Sequence, residues 1–82
     1  MVTGMQIMAA RHALRWTALE LADRARVSVS TIKRIEVRDG VPSVNAPNLM
    51  AVQSALEAAG VEFIGTPGDG PGIRVRTPPA QP

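Results

Sequence analysis

The sequence predicts a mainly α-helical domain that ends in a small β-hairpin. In four segments between residues 6 and 59, apolar residues recur at the three- and four-residue spacing of a buried helix face. Ser, Thr or Asn stands before three of these segments, where it can cap a helix. Two β-prone stretches then flank a loop of Gly and Pro. A chain of 82 residues suits one domain, near the lower size limit for a self-sufficient core.

The first helix is predicted from Gln6 to Leu14, because Ile7, Ala10 and Leu14 recur at helical spacing. We expect the Met-rich residues before it to be core filler and a loose N-terminal end. Trp16 follows the helix, and its large ring should cover one end of the core.

Two short helices joined by a tight turn are predicted between Thr17 and Glu36. Thr17 and Glu20 have the spacing of a capping box, in which each side chain satisfies a backbone N–H of the first turn. Ser28 is a good N-cap for the second of the two helices. The residues that we expect on their buried faces are Leu21, Ala22, Ala25, Val29, Ile32 and Ile35.

The fourth helix is predicted to begin after Asn45, with Pro47 tolerated in its first turn. Gly60 should end it in the left-handed conformation. Its apolar stripe consists of Leu49, Val52, Leu56 and Ala59.

A hairpin is predicted from two strands, Val61–Ile64 and Ile73–Arg76, around a loop from Gly65 to Gly72. Because a lone hairpin is marginally stable, it should pack on the helices or pair with a second chain. The predicted divisions are the helical domain (1–64), the loop and C-terminal strand (65–76) and a disordered tail (77–82).

Composition argues against several functions. The chain has no Cys, which excludes disulfides and Cys-ligated zinc, and His12 has no neighbouring ligands for a metal or a triad. We therefore expect no enzyme activity, no cofactor and no metal. No apolar run approaches the roughly 20 residues that cross a bilayer, and there is no signal-peptide pattern, so we expect a cytoplasmic protein.

The charge is divided unevenly along the chain. Residues 1–38 contain seven Lys and Arg against three Asp and Glu, whereas residues 39–70 contain four acidic residues and no cation. A basic half suits a face presented to a polyanion, although a chain this short also produces such clusters by chance.

The paired helices have the layout of a helix-turn-helix, whose second helix can enter a DNA major groove. Side chains near the start of that helix would reach base edges, and flanking cations would neutralise phosphates. The alternative is an ordinary packed helix pair, and periodicity alone leaves both open. The candidate base contacts are Val29, Ser30, Lys33 and Arg34, and the candidate phosphate contacts are Arg15, Arg26 and Arg38.

The motif that begins at Trp16 resembles the Cro/repressor-like (XRE) helix-turn-helix proteins: W-T-x-x-E-L-A-x-R-A-x-V-S-x-x-T-I-x-R-I-E. The later segments D-G-V-P, A-L-E-A-A-G-V-E-F-I and G-D-G-P-G-I-R-V-R are similar to short bacterial XRE regulators in which a strand replaces the fifth helix. The resemblance covers residues 7–76. It implies a four- to five-helix, DNA-binding transcriptional regulator, commonly a homodimer on a two-fold symmetric operator.

Four positions depart from the family pattern. Ala18 stands where a polar residue usually bonds a DNA phosphate, and Leu19 stands at a position that is usually polar. Arg26 and Arg15 stand where the family often has Gly. If the left-handed backbone conformation is kept at Arg26, it costs about 1 kcal/mol.

These departures suggest an alternative in which the domain binds a protein. An apolar surface formed by Ala18, Leu19 and Val29 would bind a transcription factor, and the protein would act as an antiactivator. A third possibility is an antitoxin that neutralises a toxin and represses its own operon. We predict binding to double-stranded DNA as a repressor-like regulator, because the basic third helix is retained. A homodimer is expected through one of the strands or the fourth helix, since one short helix buries too little surface.

Overall fold

The computed structural model describes residues 2–76, which form four helices followed by a two-stranded antiparallel sheet. The mainly helical fold with a C-terminal hairpin is therefore confirmed. The predicted disordered tail, 77–82, lies outside the described residues. Within the described part, no helix has the length and apolar character needed to cross a membrane. The elements are α1 (Gly4–Ala13), α2 (Ala18–Ala25), α3 (Val29–Glu36), α4 (Ala46–Ala58), β1 (Val61–Thr66) and β2 (Asp69–Val75).

The N-terminal segment is ordered into the fold, so the expectation of a loose end is wrong for residues 2–5. Helix α1 begins at Gly4 and is capped by Thr3, whose hydroxyl accepts a hydrogen bond from the Gln6 backbone N–H at 3.1 Å. The Gln6 side chain in turn accepts one from the Thr3 N–H at 2.8 Å. Val2 and Thr3 are both buried, and this reciprocal capping box fixes the start of the chain.

The predicted caps of the other helices are confirmed. The Thr17 hydroxyl accepts from the Glu20 N–H, and the Glu20 carboxylate accepts from the Thr17 N–H, each at 3.0 Å. The Ser28 hydroxyl accepts from the N–H of Thr31 at 3.1 Å and so starts α3. Asn45 caps α4 in the same way. Local sequence therefore sets the ends of these helices.

The core lies among the four helices, where the predicted apolar stripes meet. Ile7 of α1, Leu21 of α2, Ile32 of α3 and Leu56 of α4 are completely buried. Helix α2 packs against both α3 and α4, and α1 packs against α3 and the hairpin. Val29, predicted to be buried, is only partly so and lies at the edge of this cluster.

The hairpin has a tighter turn than predicted. Strand β2 begins at Asp69, which pairs with Thr66, so the chain reverses at residues 67–68 rather than through a loop from Gly65 to Gly72. Gly65 has a φ of 77°, and the register shifts there, which lets the strands continue through a Gly-rich segment. Phe63 and its partner Ile73 pack against the helical core, as expected for a hairpin that cannot stand alone.

One buried amide fastens the hairpin to the helices. The Gln6 side-chain amide donates to the carbonyl oxygen of Ile64 at 3.0 Å and to that of Gly72 at 2.8 Å. Gln6 is almost fully buried, and its oxygen is occupied by the capping box of α1. This one side chain therefore joins the N-terminus to both strands.

Candidate nucleic-acid interface

Helix α3 has one buried side and one polar, exposed side. Thr31, Ile32 and Ile35 point inward. The polar side presents Ser30, Lys33 and Arg34, which are all exposed, so the structure brings three of the four candidate base-contact residues onto one surface. The fourth, Val29, is half-buried against the core and offers less surface to a ligand.

A partly buried ion pair joins α1 to the end of α3. The Arg11 guanidinium donates to both carboxylate oxygens of Glu36, at 2.7 and 2.8 Å, in a two-point contact. It also donates to the backbone carbonyl of Trp16 at 2.9 Å. The two side chains are only 15% and 11% exposed. The hydrogen bonds that Arg11 donates to Glu36 raise the pKa of Arg11, although burial opposes this, so the guanidinium stays charged.

This pair changes the electrostatics of the α3 surface. Glu36 is the only acidic residue in α3, and Arg11 neutralises it. Lys33 and Arg34 form no ion pair within residues 2–76. The exposed side of α3 therefore carries two cations that form no ion pair with a described carboxylate.

Arg15 and Arg26 both have the left-handed backbone conformation that usually favours Gly, each with a φ of 59°. Arg26 ends α2, where its N–H donates to the Asp23 carbonyl at 3.2 Å and the next N–H donates to Ala22. After α1, the Arg15 N–H and the next N–H form two hydrogen bonds of the same kind, so the helix ends there in the same way. The conformation expected for a Gly is thus kept at both positions, with an exposed arginine in its place.

The conformation carries a cost that glycine would avoid. A non-Gly residue in this region is strained by about 1–2 kcal/mol, because its Cβ crowds the following carbonyl. Arg15 and Arg26 both have this strained conformation, and they place one cation at the end of α1 and another at the end of α2. Neither side chain forms an ion pair with another described residue.

The loop after α3, which carries the exposed Arg38, is held against the start of α1. The Gly4 N–H donates to the Gly40 carbonyl at 2.8 Å. A Cβ at Gly4 would collide with the backbone carbonyl oxygens of Ile35 and Arg38. This close approach fixes the backbone at Arg38, the third candidate phosphate contact.

The apolar surface expected on α2 is smaller than the sequence suggested. Leu19 is 68% exposed and stands out from the first turn of α2. Ala18 and Val29, by contrast, are half-buried and pack against the core. The three residues do not form one fully exposed patch, and Leu19 is the accessible part.

Trp16 lies partly buried against the core, and the Arg24 guanidinium stacks 4.3 Å from its ring centre. Beside this pair is a shallow groove of about 270 Å³, which also touches the last part of α4.

The described residues contain no cluster of three or more His, Cys, Asp or Glu that could hold a metal.

Sequence reasoning missed the Arg11–Glu36 pair and the Trp16–Arg24 stack. The members of the ion pair are 25 residues apart, so no local spacing joins them.

Comparison with known proteins gave no match to any family model, curated protein or solved structure. The likeness to Cro/repressor-like proteins therefore stays a prediction from the motif.

Proposed function

We propose that this protein is a small transcriptional regulator that binds double-stranded DNA through α2 and α3, used as a helix-turn-helix. The observation that carries the proposal is the unpaired positive charge on the exposed side of α3. Lys33 and Arg34 are exposed without an ion pair in the described chain, while Arg11 neutralises Glu36. A surface of this kind suits a polyanion.

The dimensions of α3 agree with this function. Its eight residues make a helix about 12 Å long, comparable with the width of the B-DNA major groove, about 12 Å. Ser30, Lys33 and Arg34 are three and four residues apart and so share one side. Lys and Arg can bond the O6 and N7 acceptors of guanine, and Ser can bond several base edges.

Contacts to the DNA backbone would come from the cations around α3. Arg15 and Arg26 project from the two helix ends, and Arg38 follows α3 in the loop. Each phosphate that such a side chain neutralises releases bound counterions and makes the affinity depend on salt. We assign these three residues to phosphate contacts, which set the orientation of α3 without reading sequence.

The proposed DNA-binding form is a homodimer. A single eight-residue helix contacts few base pairs, which limits both affinity and specificity. A second copy related by two-fold symmetry would place another α3 one helical turn further along the DNA. An operator with two inverted half-sites is the expected target.

The test compares two double variants that lose the same formal charge. Lys33→Ala/Arg34→Ala removes the α3 cations, whereas Arg74→Ala/Arg76→Ala removes two cations that bond Glu62 on the hairpin. Fluorescence anisotropy would measure binding to a labelled duplex from the gene's own upstream region and to a random duplex. Each lost base contact costs about 1–3 kcal/mol, so the α3 variant should bind the upstream duplex roughly 30-fold or more weakly.

The hairpin variant should change affinity far less, because its cations lie outside the proposed contact surface. Equal weakening by both double variants would show that only net charge matters. Absence of binding to any fragment of a genomic DNA library at low salt would refute the proposal.

The exposure of Leu19 favours a second candidate, in which α2 binds a transcription factor and the protein acts as an antiactivator. A large apolar side chain that is 68% exposed is a suitable anchor for a protein interface. Leu19→Asp should then abolish capture of the partner from native lysate, and Lys33→Ala should not. Ala18 is a poorer test site, because it also packs against the core.

The pull-down should be repeated after nuclease treatment. Capture of a transcription factor that survives nuclease supports the antiactivator function. Capture of a small toxin encoded beside the gene would instead support an antitoxin that represses its own operon. Retention of DNA alone, lost after nuclease, supports the DNA-binding proposal.

A further inference from the structure

Arg11 connects the turn before α2 to the end of α3. Its Nε and one terminal nitrogen donate to the two carboxylate oxygens of Glu36, at 2.7 and 2.8 Å, and its other terminal nitrogen donates to the Trp16 carbonyl at 2.9 Å. Each nitrogen of the guanidinium therefore donates to a protein oxygen. The side chain is only 15% exposed, so it offers little surface to a DNA phosphate.

Arg11 also fixes the backbone next to Arg15. The Trp16 N–H donates to the Arg11 carbonyl at 3.0 Å, so Arg11 holds both the N–H and the carbonyl of Trp16. Arg15 lies just before Trp16 in the left-handed conformation, and its N–H donates to the His12 carbonyl at 3.0 Å. The strained turn that carries the exposed Arg15 is thus closed by hydrogen bonds at this residue and at the next.

The other end of this contact lies on the proposed DNA-reading helix. Glu36 is the last residue of α3, whose exposed side carries the proposed base contacts. Because the guanidinium bonds both Glu36 and Trp16, the turn at Arg15 and helix α3 cannot move apart without breaking a partly buried, charge-assisted contact. A planar guanidinium makes such two-point contacts with a fixed geometry, which a flexible ammonium group does not reproduce.

We propose that Arg11 is a positioning residue for DNA binding, which sets the distance between Arg15 at a phosphate and α3 in the major groove. This role rests on the proposed function. Phosphate contacts determine the register and orientation in which a recognition helix meets the bases, so their spacing from that helix affects specificity. Arg26 provides a matched control, because it is also a proposed phosphate contact but its N–H donates to carbonyls of α2 itself.

The test is a double-mutant cycle between Arg11 and Arg15, measured by fluorescence anisotropy at a temperature at which circular dichroism shows every variant to be folded. Arg11→Lys keeps the net charge but loses the two-point contact. In the parent, Arg15→Ala should lower the salt slope by about 2, for two phosphates in a homodimer. In Arg11→Lys the same change should lower it far less, because Arg15 is no longer held at its phosphate. Arg26→Ala should keep its full effect of about 2 in both proteins.

Glu36→Gln tests the other end of the contact. It removes a negative charge from α3, so a purely electrostatic role predicts tighter binding to the upstream and the random duplex alike, with an unchanged ratio of the two affinities. Positioning predicts instead that this ratio falls, because α3 is no longer fixed relative to the backbone contacts.

A role in stability alone would leave the effects of Arg11→Lys and Arg15→Ala additive in the folded proteins. Equal effects of Arg15→Ala in the parent and in Arg11→Lys, or an unchanged ratio in Glu36→Gln, would therefore overturn the positioning role while the parent still binds DNA. If the parent binds neither duplex, the proposed function and the positioning role fail together, so the two failures are distinguishable.

Discussion

Replacing Arg26 by glycine should make the protein more stable and its proposed DNA complex weaker. Arg26 ends α2 with a φ of 59° and a ψ of 43°, a conformation that glycine adopts without strain. Its exposed side chain is also one of the three proposed phosphate contacts. One substitution therefore tests the strain and the function with opposite expected signs.

The magnitude follows from two opposing free energies. Relief of the left-handed strain stabilises the folded state by about 1–2 kcal/mol. Glycine also makes the unfolded chain more flexible, which takes back about 0.4–1 kcal/mol. With the middle of each range, the net gain in the free energy of unfolding is about 0.8 kcal/mol, or a rise in Tm of roughly 3–6 °C for a domain of this size.

Urea unfolding followed by circular dichroism would measure the stability, with Arg26→Ala as the control. Alanine loses the same charge but keeps the strain, so Arg26→Gly should unfold at higher urea than both the alanine variant and the parent. Both variants should bind DNA more weakly. Their salt dependence should fall by about 2 in slope for a homodimer, because two phosphate contacts are lost.

An Arg26→Gly protein no more stable than Arg26→Ala would refute the strain argument. A parent-like salt slope in both variants would refute the assigned phosphate contact. Because the two readouts are independent, either part of the reasoning can fail alone.

Three further substitutions test the packing that supports the candidate site, each by urea titration. Arg11→Ala should lower the free energy of unfolding by about 1–3 kcal/mol, because it leaves the partly buried Glu36 without its cation, and a parent-like midpoint would contradict this. Gln6→Leu should cost about 1–3 kcal/mol, because two hairpin carbonyls lose their donor; an unchanged midpoint would mean that water replaces the amide. Gly4→Ala should cost about 1–3 kcal/mol, because the new Cβ meets two backbone carbonyls, and a neutral effect would show that the loop after α3 moves easily.

Elements that depend on local chemistry could be predicted from the sequence. The caps at Thr17, Ser28 and Asn45 need only a side chain and a backbone N–H a few residues away. The buried stripes follow from helical period, and the hairpin follows from β-prone segments around Gly and Pro. The left-handed backbone at Arg26 is different: only the resemblance to a pattern that often has Gly there raised this conformation as a possibility, and the structure has it.

Contacts between distant segments could not be predicted in the same way. Arg11 looks like a solvated residue until the fold places Glu36 beside it, and nothing local indicates that partner. Gln6 donates to backbone carbonyls. Because every residue type has such a carbonyl, the sequence does not indicate which ones Gln6 contacts. The early start of α1 did have a local signal, since Thr3 and Gln6 have capping-box spacing.

The residue types of the candidate site could be predicted from the sequence, but the exposure of its apolar side chains could be predicted less well. Ser30, Lys33 and Arg34 fall off the apolar stripe of α3, so their exposure follows from period alone. Ala18 and Val29 are at the edges of their helices' buried faces, where small differences in packing decide how much surface remains. Only the assembled core distinguishes them from Leu19.

The central claim is that the surface formed by α2, α3 and their neighbouring arginines binds the DNA backbone. Its most direct test is the slope of log binding constant against log salt concentration for the upstream duplex. With Arg15, Arg26 and Arg38 each on one phosphate, a homodimer makes six contacts and should give a slope of about −5. Arg15→Ala/Arg26→Ala should reduce it to about −2. A slope near zero, or one that the double variant leaves unchanged, would contradict the account.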